Sequence, residues 1–212
     1  MKRPRVLLAD DHPLILEGLR SLLETECEVV GVIRDGRSLV EAASRLRPDV
    51  IVLDISLPLL NGIDAARQIK KELPQAKVLF LTMHANPEYL REALAAGASG
   101  YVLKTSAGEE LPDAIQDALR NRLHVTAGFG DEIVEQFARR PPSSHRPQSI
   151  LTARQREILQ LVAEGRTAKD IAAILNISLQ TVAFHKYRIM NKLGARTTAA
   201  LTKYAIQEGL IA

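Results

Sequence analysis

Five side chains with phosphoryl-transfer chemistry fall where the β-rich runs of this chain stop. Asp10 and Asp11 follow Arg5-Val6-Leu7-Leu8-Ala9, and Asp54 follows Val50-Ile51-Val52-Leu53. Thr82 closes Lys77-Val78-Leu79-Phe80-Leu81, and Lys104 follows Gly100-Tyr101-Val102-Leu103. If these runs form one parallel open sheet, their carboxyl ends line a common crevice. Three carboxylates there repel one another and call for a cation. An all-oxygen ligand set suits a hard divalent ion such as Mg2+. A hydroxyl and an ammonium beside that set can meet a phosphoryl group. Asp10-Asp11 alone would read as a strand end and helix cap before His12-Pro13. Asp54, Thr82 and Lys104 at three further strand ends turn the reading toward a phosphorylatable site.

The pattern of elements supplies the sheet. Residues 5–9, 28–33, 50–54, 77–82 and 100–103 read as strands, and 13–24, 37–46, 61–73, 87–96 and 109–121 as helices. Ile15, Leu19, Leu22 and Leu23 share one helical face, and Gly97 stands where a left-handed cap would end the fourth helix. Apolar strands alternating with helices imply a parallel sheet covered on both faces. The expectation is a flavodoxin-like, doubly wound, five-stranded α/β fold of order 2-1-3-4-5.

The last third reads as helical throughout. Thr152-Ala153-Arg154-Gln155 is a capping box, Thr167 and Ser178 cap two further helices, and a fourth runs from about Thr197 to Gln207. A helix, a short turn and a basic second helix fit a small all-α helix-turn-helix domain of four helices. Between the two parts, Asp131 to Arg139 suggests a short helix with Ile133, Val134 and Phe137 on one side. Arg140-Pro141-Pro142-Ser143-Ser144-His145-Arg146-Pro147 then reads as a linker. The expected division is therefore 1–126, a linker at 127–148, and 149–212.

The 212-residue chain is 46% hydrophobic and 25% charged, as expected of globular domains. Its net charge of +3 is uneven: −2 over residues 1–126, 0 over 127–149 and +5 over 150–212. A basic C-terminal part points to nucleic acid. No apolar run approaches the ~18 residues that span a membrane. Cys27 has no cysteine to pair with, reads as a buried small hydrophobe, and suits a reducing cytoplasm.

The strand-end constellation, with Leu57-Pro58 and Asn61-Gly62 after Asp54, resembles the receiver domain of two-component response regulators over roughly residues 4–125. That resemblance makes Asp54 the phosphate-accepting nucleophile. Asp10 and Asp11 would hold magnesium with Asp54, Asp11 favoured as the direct ligand, and the backbone carbonyl of Ser56 would be the third protein ligand. Thr82 would hydrogen-bond the phosphoryl group, Lys104 would pair with it, and Tyr101 matches the aromatic switch position. Lys104 precedes Thr105, where many receivers carry a cis-proline. Leu151-Thr152, Ile158-Leu159, Glu164-Gly165, Asp170-Ile171-Ala172, Ile177-Ser178, Thr181-Val182, His185 and Lys192-Leu193 resemble the LuxR-type DNA-binding domain. Receiver and LuxR-type domain in this order resemble the NarL/FixJ class of response regulator. The resemblance implies a transcription regulator phosphorylated by a sensor histidine kinase or a small phosphodonor, and a homodimer on double-stranded DNA.

The third C-terminal helix is expected in the major groove, with Thr181, Ala183, Phe184, His185, Lys186, Tyr187, Arg188 and Lys192 as candidate DNA contacts. Relatives usually carry a lysine where this chain has Ala183. Phe184 packing in the small core, and His185 as a structural side chain, are the competing assignments. Ser56 stands where a phosphohydrolase of the haloacid dehalogenase type would need a second aspartate, which disfavours that enzyme class. The acidic site disfavours a ligand-sensing quorum regulator.

Overall fold

A computed structural model describes residues 3–139 and 150–211. The prolyl-seryl stretch Arg140–Pro147 read as a linker lies outside the described residues, as does the Phe137 side chain.

The first part alternates strand and helix: β1 (Arg5–Ala9), α1 (Pro13–Leu23), β2 (Glu28–Ile33), α2 (Gly36–Leu46), β3 (Val50–Leu53), α3 (Gly62–Glu72), β4 (Lys77–Thr82), α4 (Pro87–Ala95), β5 (Gly100–Leu103) and α5 (Ala107–Leu119). A 3-10 turn, Lys104–Ser106, joins β5 to α5. The strands pair in parallel in the order β2-β1-β3-β4-β5, as expected. A short sixth strand, β6 (His124–Val125), extends the sheet beyond β5. Five strands were expected. Two residues without a continuous apolar run leave too little periodic signal for a strand to be read.

Alternation along the strands sorts side chains to two cores. Leu7, Ile51, Leu53, Val78, Phe80 and Tyr101 pack with α2, α3 and α4. Val6, Leu8, Val52, Leu79, Leu81 and Val102 pack with α1 and α5. The sequence direction of the order reverses between β1 and β3, which opens the crevice at their carboxyl ends. Two glycines permit tight closure beside it. A Cβ on Gly62 would lie 2.0 Å from the Asp54 carbonyl oxygen, and one on Gly36 would lie 1.8 Å from the Leu60 carbonyl oxygen.

The expected short helix is present as α6 (Asp131–Arg139). It packs on α4, with Ile133 buried in the first core and Phe129 resting against that core. The front of the expected linker is thus part of the first domain's packing.

The C-terminal part folds as α7 (Ala153–Ala163), α8 (Ala168–Leu175), α9 (Leu179–Leu193) and α10 (Thr198–Gln207). Capping boxes at Thr152 and Thr167, and Ser178 accepting from the Thr181 amide, start the first three where expected. Gly194 ends α9 in the left-handed region at φ 63°. Ile158, Leu159, Ile171, Val182, Ile189 and Leu201 form its core. Among the described residues no helix is long and apolar enough to cross a membrane.

The two parts are docked through α7. Arg156 pairs with Asp64 at 3.1 Å and lies 3.8 Å from Glu92, while Arg37 bonds Glu157. Beyond α10, Gly209 abuts the ring of Tyr89. Burial alone would raise the Asp64 carboxyl, but Arg156 and Arg67 outweigh it and hold it below its ordinary value.

Two predictions follow from this packing. Gly62→Ala should destabilise the first domain by about 1–3 kcal/mol, because the new methyl meets backbone rather than a movable side chain. Its chemical-denaturation midpoint, compared with wild type, is the check. The depressed Asp64 carboxyl contributes docking stability that is complete above about pH 4 and is lost as pH falls through its lower folded value. Interdomain distances from paired fluorophores should therefore lengthen on the acid side, and Asp64→Asn should flatten that limb.

Candidate functional site

Asp10, Asp54, Thr82 and Lys104 meet at the sheet's carboxyl edge. Asp10 is 1% exposed, Asp54 5% and Thr82 0%. Lys104 Nζ lies 2.6 Å from Asp10 Oδ2 and 2.9 Å from Asp54 Oδ2. Burial alone would lower the Lys104 ammonium's pKa, but bonds and charges from both aspartates outweigh it and raise it. Lys104 therefore stays charged and neutralises part of the carboxylate pair. The remaining Asp54 oxygen, Oδ1, accepts from the Ile55 amide at 2.7 Å. No cis peptide occurs among the described residues, so the Lys104–Thr105 bond is trans.

Asp11 borders the site more openly. Asp10, Asp11 and His12 place one ligand atom each within 4.8 Å of one another. His12 Nδ1 lies 3.1 Å from Asp10 Oδ1 and 2.7 Å from Asp11 Oδ1. Asp10 Oδ2 and Asp11 Oδ1 are closed to solvent and accept no well-formed hydrogen bond among the described residues. Each faces a charged or chargeable nitrogen instead. Oxygens from two adjacent carboxylates are the donors a hard cation takes. His12 was not among the expected metal residues. Its place after the acidic pair was the available signal, and its position before Pro13 made it read as a helix start.

Thr82 and Tyr101, the residues expected to act as a switch, are joined by a chain of contacts. The His84 amide donates to Thr82 Oγ1 at 3.2 Å, and the Tyr101 hydroxyl donates to the His84 carbonyl at 2.6 Å. Tyr101 is already turned inward and fully buried, stacked on Phe129 with centroids 5.7 Å apart. Burial pushes its phenol well above the usual tyrosine range. His84 Nε2 also lies 3.0 Å from Ser56 Oγ, and its ring sits 4.7 Å from that of Tyr89. A lone loop histidine reads as exposed from sequence, whereas here His84 joins Thr82, Tyr101 and Ser56 at the rim.

On α9 the candidates separate into outward and structural side chains. Phe184 is 51% exposed, so it does not fill the small core, and the Arg188 guanidinium lies 4.6 Å from its ring centroid. Ala183, Tyr187 and Arg188 also face outward. Lys186 Nζ reaches Thr198 Oγ1 at 3.3 Å from the same open side. The Thr181 hydroxyl pairs with that of Ser178 at 2.9 Å, completing the cap. His185 has its Nδ1 closed off, and burial followed by Arg154 and Arg188 lowers its pKa, which favours neutral imidazole. Lys192, also expected at DNA, is exposed, and its Nζ bonds the Ile150 carbonyl at 2.8 Å and Gln155 Oε1 at 3.0 Å. Late in the helix, it braces α9 against the start of α7.

Sequence reasoning also missed the interdomain residues. Arg156, Gln160 and Glu164 recur at four-residue spacing, which reads as a solvated helix stripe, but they meet the loop after β3 and the start of α3.

Comparison with known proteins agrees with this geometry. Residues 6–116 match the response regulator receiver domain, and residues 149–205 match the luxR family of bacterial regulatory proteins. The transcriptional regulatory protein MctR of Rhizobium johnstonii is 37% identical over 209 residues, covering 98% of this chain and 95% of the relative. The oxygen regulatory protein NreC of Staphylococcus epidermidis is 35% identical over 215 residues, covering 98% and 99%. The RcsB response regulator of Salmonella typhimurium superposes with a TM-score of 0.63 at 31% identity, over 98% of both chains. A structure of an RcsB–DNA complex gives a TM-score of 0.57 at 31% identity, over 96% of this chain and 98% of that one. Two matched domains in this order, and relatives matched along their whole length, place the chain in the family of two-component response regulators with a receiver domain and a LuxR-type DNA-binding domain.

Proposed function

We propose that Asp54 accepts a phosphoryl group from a sensor histidine kinase or a small phosphodonor, and that this controls DNA binding by residues 149–212. The observation that carries the reading is the single Lys104 ammonium shared by buried Asp10 and Asp54. The receiver, with α6 packed on it, precedes the DNA-binding domain at 149–212, and the protein works in the cytoplasm. A bound Mg2+, held by Asp11, Asp10, Asp54 and the Ser56 carbonyl, would neutralise charge on the incoming phosphoryl group.

The chain's own groups then divide the work. An Asp54 carboxylate oxygen attacks phosphorus, and the bond to the donor breaks. Lys104 pairs with the new phosphoryl oxygens, which carry about −1.5 to −2 charge. Thr82 accepts the His84 amide and keeps its own hydroxyl proton free to donate to the phosphoryl group. Movement of Thr82 pulls the His84 backbone, whose carbonyl holds the Tyr101 hydroxyl. Phe129, stacked on Tyr101, carries that displacement to the segment leading into α6. A local charge change is thereby read as repacking. On DNA, Phe184, Tyr187 and Arg188 present apolar, aromatic and guanidinium surface to the major groove, and two copies on paired half-sites gain effective concentration.

Three outcomes test the reading. Mg2+ with acetyl phosphate should add one phosphoryl group, mapped by peptide mass to Asp54. Undiminished labelling of Asp54→Asn would sink the assignment. Lys104→Met leaves two buried carboxylates without their shared cation, so it should cost about 3–5 kcal/mol of stability. Added Mg2+ should recover part of that loss in thermal melts if these carboxylates hold the ion. Arg188→Ala should weaken operator binding by about 1–3 kcal/mol, and Lys186→Ala should lower the salt slope by about 1 if Lys186 reaches a phosphate. Titrations at several salt concentrations separate the two.

A further inference from the structure

The loop from Asp54 to Asn61 is gripped from outside by α7. Gln160 Nε2 donates to the Leu57 carbonyl at 3.0 Å, and the Asn61 amide donates to Gln160 Oε1 at 2.8 Å. The Leu59 amide donates to Glu164 Oε1 at 2.9 Å, and Gln160 Nε2 reaches the same oxygen at 2.9 Å. Two side chains 99–105 positions away in sequence thus satisfy three backbone groups of the loop that leaves the phosphate acceptor.

The chemistry of Gln160 fits this grip. A carboxamide accepts at one end and donates at the other, so it spans a carbonyl and an amide at once. Neither a carboxylate nor an ammonium can do both. Gln160 is 1% exposed, so both loop bonds are made away from water.

Leu59 shows that the grip has conformational content. It is a non-glycine residue at φ 64°, a region that L side chains rarely adopt. Its side chain packs against the C-terminal core instead of the receiver's own. Its amide is tied to Glu164. This left-handed turn is therefore supported from the DNA-binding domain. The Ser56 carbonyl expected to meet the cation lies one peptide before clamped Leu57, and the Ser56 hydroxyl is engaged by His84. The loop at Leu57, Leu59 and Asn61 can shift only by giving up its bonds to α7. Glu164 adds a carboxylate to the same loop, of like charge to that group.

We propose that Gln160, with Glu164, is a positioning residue for the phosphorylation site: the DNA-binding domain holds the β3–α3 loop in its pre-transfer form, and releasing it speeds phosphorylation of Asp54. This rests on Asp54 being the acceptor. It assigns α7, a helix otherwise explained by the helix-turn-helix core, a second role in the receiver's reaction. Coupling is reciprocal, so a phosphorylated loop grips α7 less well.

The test uses full-length protein with acetyl phosphate and Mg2+. Initial rates come from intact mass, and amide exchange is followed across residues 57–61. Gln160→Met should raise the rate about fivefold or more, and the Leu59 and Asn61 amides should exchange faster. Melting of the receiver should stay unchanged, which a merely structural effect on its core would not allow. Glu164→Ala reaches the same loop by a second route, should act in the same direction, and decides the matter if Gln160→Met folds poorly. A wild-type or slower rate in a folded variant, or unchanged exchange at Leu59 and Asn61, overturns the positioning role. Failure of wild type to label at Asp54 overturns instead the reading of the site on which this rests.

Discussion

One ammonium between two buried carboxylates is the constraint on which the receiver depends. Asp10 and Asp54 stand at the ends of neighbouring strands, and ionised carboxylates so placed are tolerated only with a shared counter-ion. Lys104 supplies it from the end of β5, two strands away from β3. The ammonium thus ties together three strand ends that the sheet brings near but does not join by hydrogen bonds. The Thr82 hydroxyl and the group of Asp10, Asp11 and His12 border that neutralised pair. A phosphoryl group placed on Asp54 would change the charge balance that Lys104 maintains.

Much of this was legible in the sequence for a physical reason. Strands buried on both faces are continuous apolar runs, so their ends are sharp, and the residue after each end is the one that meets the crevice. Asp54 after Leu53 and Lys104 after Leu103 are cases in point. Helix starts were equally readable at Thr152, Thr167 and Ser178, because a capping hydroxyl is a local device needing no knowledge of tertiary contacts. The short strand β6 carries too little pattern to be seen. The contacts of His84, Phe129 and Gln160 depend on which elements meet in space, and no periodicity encodes that. Lys192 is a further case: its bonds to Ile150 and Gln155 join α9 to the start of α7, which its place on a basic helix does not encode.

The inward position of Tyr101 changes how the switch is to be pictured. A receiver waiting for phosphate could be expected to hold this ring outward and draw it in on activation. Here the ring is already buried, its hydroxyl on the His84 carbonyl and its face on Phe129. The ring has no empty space to move into. What can still change is the His84 backbone between it and Thr82, and with it the Phe129 segment on its other side. Close-packed interiors pass on such shifts because they deform poorly. On that side lie β6 and α6, with α6 packed on α4 and Ile133 set in the receiver core.

Docking through α7 bears on how one domain could restrain the other. An unphosphorylated receiver could act by covering the reading helix, yet α9 keeps Phe184, Tyr187 and Arg188 open to solvent in the docked form. Ala199 and Ala200 on α10 are exposed as well. The buried surface belongs to Arg156, Glu157 and Gln160 instead. Restraint by simple occlusion therefore does not fit this arrangement. Docking fixes the direction in which α9 points relative to the receiver. Two copies on paired half-sites would have to place two reading helices at a spacing and symmetry set by the DNA. A pair of chains whose α9 helices are held by their receivers satisfies that geometry only if the receivers associate in a matching orientation. Release of α7 would remove the requirement. If docking restrains DNA binding, orientation is the physical basis this arrangement offers, and the polar contacts of Arg156, Gln160 and Glu164 suit it, because paired polar groups break and re-form in water at a lower cost than an apolar core exposed to it.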